Sequence, residues 1–125
     1  MFGAGSYDLQ ILVECKKASG GDMYAYTIVK DVPSSEDGVI TATDGSAYMP
    51  GVAMCTVSDG NRLDVLTMGV HRVIAGEQIL AGDPIKADAN GHAVKASIGD
   101  LIVGFAVDTK PQGDLVSVRI NQGRF

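Results

Sequence analysis

The sequence predicts an all-β fold: a small single-domain β-barrel or folded-over β-sandwich, built from short strands and glycine-rich turns. Two observations carry that prediction. Across residues 73–118 the pairs Gly76-Glu77, Gly82-Asp83, Gly99-Asp100 and Gly113-Asp114 repeat one turn word, glycine followed by an acid. Glycine reaches backbone angles closed to other residues and the acid accepts hydrogen bonds from nearby amides, so each pair reverses a strand compactly. Reversals this closely spaced leave no room for a helix of ordinary length. The second observation is the character of the intervening segments, 78–81, 84–87, 93–96, 101–107 and 115–120, which are short, apolar and rich in valine and isoleucine, as strands are.

The earlier part of the chain fits the same class. Residues 1–7, Met-Phe-Gly-Ala-Gly-Ser-Tyr, have no regular period and read either as an arm that orders on another subunit or as a frayed terminus. Their Gly-Ala-Gly is not a phosphate loop, because no strand precedes it and no Lys-Ser/Thr follows. Residues 9–15 form the first strand candidate, with Leu9, Ile11 and Val13 on one face and Gln10, Leu12 and Glu14 on the other. Residues 23–30 follow as a β-branched and aromatic run in which neither face is wholly polar, so both sides are expected to be covered, one of them by a neighbouring copy.

Residues 31–38 are the most polar window and read as an exposed loop; their acids lack the regular ligand spacing of a calcium loop. Strand character resumes at 39–43, and Asp44-Gly45-Ser46 turns it. Tyr48-Met49-Pro50-Gly51 makes a second, more apolar turn, which either contacts another subunit or folds onto its own core. The strongest hairpin signal joins 52–58 to 62–73 through Asp59-Gly60, a pair suited to a type I′ turn. Its second arm places Leu63, Val65, Thr67, Gly69, His71 and Val73 on one face, and Gly69 allows a bend or bulge. Asp88-Ala89-Asn90-Gly91 marks a further hairpin, and the tail 121–125 ends in Arg124-Phe125, closing the sheet or reaching outward.

Bulk composition narrows the function. A chain of 125 residues is expected to form one domain (1–125, with 1–7 as the flexible arm) and to bury roughly two-thirds of its unfolded surface. Apolar residues make up 46% and lean on alanine and valine, with tryptophan absent, so the interior should be thin and closely spaced. Ten basic residues are scattered among fifteen acidic ones, for a formal charge of −5, which disfavours direct binding of nucleic acid. No apolar run approaches the length of a membrane span, and the amino terminus lacks the pattern of a signal peptide, so the expectation is a soluble intracellular product with no membrane partner.

Catalytic constellations are not evident. Cys15 and Cys55 sit in apolar runs without a nearby His or second Cys; a disulfide or metal site is the functional reading, and two buried thiols packing as small hydrophobes is the plainer one. His71 and His92 lack the close spacing and cysteine companions of a zinc site. No serine occupies a Gly-x-Ser-x-Gly elbow, and the acids fall chiefly in turns, where backbone hydrogen bonding accounts for them. Lys86 lies between Ile85 and Ala87 rather than in the Met-Lys-Met setting of a biotinyl domain. The reading is therefore a non-enzyme with no cofactor and no metal.

The ordered phrases Ala81-Gly82-Asp83-Pro84-Ile85-Lys86-Ala87-Asp88-Ala89-Asn90-Gly91-His92-Ala93-Val94, Val103-Gly104-Phe105-Ala106 and Gly113-Asp114-Leu115-Val116-Ser117-Val118 resemble those of tailed-phage capsid decoration, or cement, proteins. Pro84 directly after Asp83 departs from the pattern and suits a strand start. The resemblance implies a β-rich homotrimer on the outside of an icosahedral head, over junctions between major capsid protein subunits, reached after synthesis in the host cytoplasm. The residues taken as candidates for capsid or subunit contact are Met1, Phe2, Tyr7, Tyr48, Met49 and Phe125. The alternative is a ligand-binding β module that recognises a cell-surface sugar, which needs exposed aromatics framing a cleft; the four Tyr and three Phe are dispersed along the chain. A small metal-dependent enzyme using His71 and His92 is a third reading.

Overall fold

The computed structural model describes residues 9–125, and every regular element among them is a strand. In chain order these are β1 (Leu9–Ala18), β2 (Ile28–Asp31), β3 (Gly38–Thr41), β4 (Gly51–Ala53), β5 (Arg62–Ile74), β6 (Pro84–Ala87), β7 (Ala93–Lys95), β8 (Leu101–Ala106) and β9 (Leu115–Arg124). Hydrogen bonding orders them β1-β3-β2-β4-β5-β9-β8-β6-β7, and β1 also pairs with β5. The pairings among β1, β3, β2, β4 and β5 therefore return to the strand they started from. Only β1 and β3 run parallel, through Lys17 opposite Gly38 and Ala18 opposite Val39; the other strand pairs are antiparallel.

Two apolar cores result, and three strands serve both. Val29, Ala53 and Val65 face the smaller core with Ala18, Met23, Val39 and Leu63, while their chain neighbours Ile28, Val52 and Leu66 face the larger one. Successive strand residues point to opposite faces, so a strand buried on both sides must be apolar at consecutive positions. That is why Ile28 and Val29 are both apolar, each covered from within the chain, whereas Tyr24 earlier in the same run stays 58% exposed. Along β5 the alternation slips: Leu63 and Val65 belong to the smaller core, yet Val73 belongs to the larger. The change of phase lies around Gly69, whose φ of 134° and irregular register against β1 mark the bulge expected there.

The glycine–acid words hold at three of four places. Asp83, Asp100 and Asp114 each donate their backbone N–H to the carbonyl three residues back (Leu80 at 3.0 Å, Ser97 at 3.0 Å, Pro111 at 3.2 Å), around glycines with φ of 92°, 98° and 92°. The carboxylates of Asp83 and Asp100 close two of these turns from the other side, accepting the N–H of Leu80 and Ser97. Gly76-Glu77 differs: Gly76 is packed against the Asp88 carboxylate, and Glu77 accepts the N–H of Lys95 at 2.9 Å.

Three expectations need correction. Residues 78–81 form only an isolated bridge, Ile79 opposite Lys110, because Ile79 is drawn wholly into the larger core. The run 23–30 becomes regular strand only at Ile28, since Tyr26 adopts φ 67° and turns its ring onto His71. The Asp59-Gly60 reversal is not type I′, for Gly60 alone has positive φ there. β4 meets β5 at Val52 opposite Leu66 and Ala53 opposite Val65, after which the chain leaves to bridge Met23 through Val57. Its tip is then held by the Asp59 carboxylate, which accepts the N–H groups of Gly20 and Gly21 at 3.0 and 3.2 Å.

Candidate functional site

β1 is long because β5 pairs with it from Leu9 to Lys17, but its other edge meets β3 only at Lys17 and Ala18. Consecutive residues Ile11, Leu12 and Val13 remain 59%, 46% and 39% exposed, and Met68, opposite Leu12 on β5, is 49% exposed. Three successive exposed positions leave both faces of the strand open. An apolar strand with an unshared edge is the form of surface that proteins ordinarily shield with charge, prolines or a partner. Here charge appears only beyond the apolar stretch, where Lys16 and Glu14 pair at 3.1 Å. Cys15 lies on this open strand and is exposed, and Cys55 is half-buried at the margin of the smaller core; both are free thiols. The expectation of two buried thiols therefore fails for Cys15, because none of the described residues covers β1 there.

A second apolar feature gathers at the carboxy terminus. Phe125 is 44% exposed, and its backbone pairs with the Ser97–Asp100 turn: Phe125 donates to the Asp100 carbonyl and accepts from the Gly99 N–H, both at 2.8 Å. The Arg124 guanidinium also donates to the Gly99 carbonyl at 2.7 Å. This fixes Phe125 on the turn that carries Ile98, which is 90% exposed. Ile98 was not among the expected contacts, since a single isoleucine in a Ser-Ile-Gly-Asp turn carries no sequence signal of its own. Tyr48 is exposed, whereas Met49 is fully buried in the larger core, so Met49 contributes packing and its thioether cannot reach a partner. Met1, Phe2 and Tyr7 lie outside the described residues.

The surface carboxylates stiffen turns around this end. Asp100 is held below its ordinary value near 3.8, first by the Ser97 N–H and then by Lys86, whose ammonium lies 3.0 Å away. The Ser46 hydroxyl and N–H lower Asp44, and Arg62 lowers Asp37. A folded-state value below the unfolded one contributes stability that is present above the unfolded value near 3.8 and is lost as pH falls through the lower folded values. The melting temperature is accordingly expected to hold steady down to about pH 5 and to decline below about pH 4. Asp44→Asn combined with Asp100→Asn should flatten that decline in a pH series of thermal melts; an unchanged acid limb would refute the assignment.

The two histidines are put to different uses. His71 is buried, its ring stacked on Tyr26 with centroids 5.6 Å apart, and the Arg72 guanidinium lies 5.7 Å from the same tyrosine ring. His92 instead lines an open cleft of about 530 Å³ together with Tyr24 and Asn90. Among the described residues no group of three or more His, Cys, Asp or Glu is arranged to hold a metal ion.

A family model described as phage cement protein matches residues 18–122, from the end of β1 nearly to the end of β9. No curated protein matches the chain. Among solved structures, the head fibre gp8.5 N base of bacteriophage phi29 superposes with a TM-score of 0.72 at 21% identity, covering 91% of this chain and 97% of that one. That likeness establishes a shared fold over nearly the whole of both molecules. With the family match spanning both cores and all but the first strand, the chain belongs to the phage cement protein family, whose role is structural and tied to the capsid.

Proposed function

We propose that this protein decorates the outer surface of a mature icosahedral phage head as a homotrimer and braces the contacts between major capsid protein subunits. The observation that carries the reading is the open apolar surface of β1, Ile11, Leu12 and Val13 with Met68, which the described residues leave exposed. Membership of the cement family supports the capsid as its setting. We read the returning ring of β1, β3, β2, β4 and β5 as a small barrel, with β9, β8, β6 and β7 as an antiparallel extension from it. Phe125 and Tyr48 offer further contact points, and residues 1–7, with Met1, Phe2 and Tyr7, serve as an arm along a neighbour.

Such a protein acts through binding geometry and catalyses nothing. Packaged DNA presses outward on the shell, and a trimer that spans adjacent capsomers adds contacts that must break before they part. Each contact can be weak, because linked copies engaging together gain about 10²-fold or more over one copy when the geometry lets all bind at once. The negative charge of −5 on each copy makes free trimers repel one another in the host cytoplasm and is no obstacle to a site assembled only on the expanded lattice. Co-sedimentation with expanded and with immature heads tests the reading, alongside light scattering of the free protein. The expected result is a trimer that pellets with expanded heads alone. A monomer that ignores expanded heads at high concentration would overturn it. Deleting residues 1–7 should lower occupancy, and unchanged occupancy would remove the arm from the account.

A further inference from the structure

The cleft beside Tyr24 has no part in the capsid reading. It lies where four stretches remote in sequence converge: the turn leading into β2, Thr41 on β3, Ile74 at the end of β5, and the tip of the β6–β7 hairpin. Backbone hydrogen bonds hold the four together, Ile28 N–H to the Gly91 carbonyl at 2.8 Å, Ala42 N–H to the Ile28 carbonyl at 2.9 Å, and Ile74 N–H to the Tyr26 carbonyl at 3.0 Å. The Asp88 carboxylate pins the hairpin tip by accepting the N–H groups of Asn90 and His92 at 2.8 and 3.0 Å. Gly91 packs so closely on β3 that a Cβ there would come within 2.6 Å of Thr41 Cγ2. The backbone of the cleft is thus preformed, which lowers the ordering cost when a ligand arrives.

Tyr26 is the sole described non-glycine residue with positive φ, at 67°. Left-handed backbone in a bulky residue persists only where its surroundings enforce it, and such positions cluster at binding sites. Here it sends consecutive aromatics to opposite duties: Tyr26 stacks inward on His71, while Tyr24 stands 58% exposed at the cleft. The remaining wall is made by Asn90 and His92, by Ile74 and Ala89, and by Thr27 and Thr41, whose hydroxyls are engaged within the chain by the Tyr24 carbonyl at 2.6 Å and the Met23 sulfur at 3.7 Å.

That chemistry selects its ligand. A volume of about 530 Å³ lies in the range of small-molecule sites. None of the lining residues is Lys, Arg, Asp or Glu, so a phosphate, a carboxylate or a metal ion would find no counter-charge. The chain's charge of −5 disfavours nucleotides further. An exposed aromatic face next to amide and imidazole groups suits a molecule with an apolar C–H face and hydroxyls at its rim. We infer that the cleft binds a neutral sugar residue, an N-acetylhexosamine, with its ring on Tyr24, its hydroxyls toward Asn90 and His92, and its acetyl methyl against Ile74 and Ala89.

The cleft shares no residue with the open surface of β1, so sugar binding and capsid binding are separable. The test is a titration of the full isotope-labelled chain with N-acetylglucosamine and, separately, N-acetylgalactosamine, followed by amide shifts. The expected result is saturable movement at Tyr24, Thr41, Asn90 and His92 for at least one sugar, with a millimolar dissociation constant. Tyr24→Ala and Asn90→Ala should each weaken binding by about tenfold or more, equivalent to 1.4 kcal/mol, with the rest of the spectrum and co-sedimentation with heads unchanged. No shifts with either sugar at about 50 mM, well beyond the millimolar range, would overturn the inference. So would shifts that map away from the cleft, or a Tyr24→Ala variant that binds sugar as the parent does. Loss of head binding in Tyr24→Ala, with no sugar bound by the parent, would also overturn it and give the cleft to the capsid.

Discussion

Gly104→Ala is expected to lower the free energy of unfolding by about 3 kcal/mol or more, among the costliest single substitutions in the chain. Gly104 sits in β8 between two partners, opposite Ile85 of β6 and Ile120 of β9. A Cβ at this position would lie 1.9 Å from the Arg119 carbonyl oxygen and 2.8 Å from its carbon. The obstacle is backbone in a paired strand, so no side-chain rotation relieves it, and β9 must move. The neighbouring Val103 is fully buried in the larger core, which transmits the displacement inward. Gly51 in β4 stands in the same position, with a Cβ placed 1.8 Å from the Leu66 carbonyl oxygen. Gly82→Ala supplies the contrast: its φ is 92° but open space surrounds it, so the cost there is backbone strain alone, about 1 kcal/mol. Denaturant midpoints would rank the three, and a Gly104→Ala midpoint equal to that of the parent would sink the argument.

Substituting the β1 surface should have the largest effect on assembly while leaving the monomer fold intact. A variant carrying Ile11→Lys, Val13→Lys and Met68→Lys is expected to run as a monomer and to bind expanded heads at least about 10²-fold more weakly, because loss of one linked contact also removes the avidity of the rest. Lysine on an open edge is the substitution by which soluble β proteins discourage edge pairing. These side chains are already substantially exposed, so each exchange should change stability by no more than about 0.5 kcal/mol. The readouts are light scattering, head co-sedimentation and a thermal melt on the same preparation. Parental oligomeric state and occupancy in the triple variant would remove β1 from the interface.

What could be read without coordinates was whatever a few adjacent residues decide together. The Gly-Asp turns ending at Asp83, Asp100 and Asp114 form from their own backbone hydrogen bonds, joined at Asp83 and Asp100 by the carboxylate, so the residue order announced them. Residues 84–87 were bounded correctly for the same reason, with a proline at one end and a turn at the other. The family phrases in the later half were legible too, since they are made of those same turns and strands. Tyr48 and Phe125 could be proposed as outward-facing from their setting in turn and tail, but the equally apolar Met49 beside Tyr48 went to the core. Nothing local distinguishes the two, because which of them faces inward depends on what lies beneath the turn.

The sequence by itself determined that this chain is all β and where most of its tight turns fall, because periodicity and turn chemistry are properties of short stretches. Only the tertiary structure decided that Ile28 and Val29 serve two different cores, that Gly51 and Gly104 are spaces for another strand's carbonyl, that Ile11, Leu12 and Val13 are left uncovered, and that Tyr24 meets Asn90 and His92 across a cleft. Each of those outcomes depends on which distant strand arrives alongside, and strand pairing over long separations is set by the joint burial of the whole chain rather than by any stretch of it.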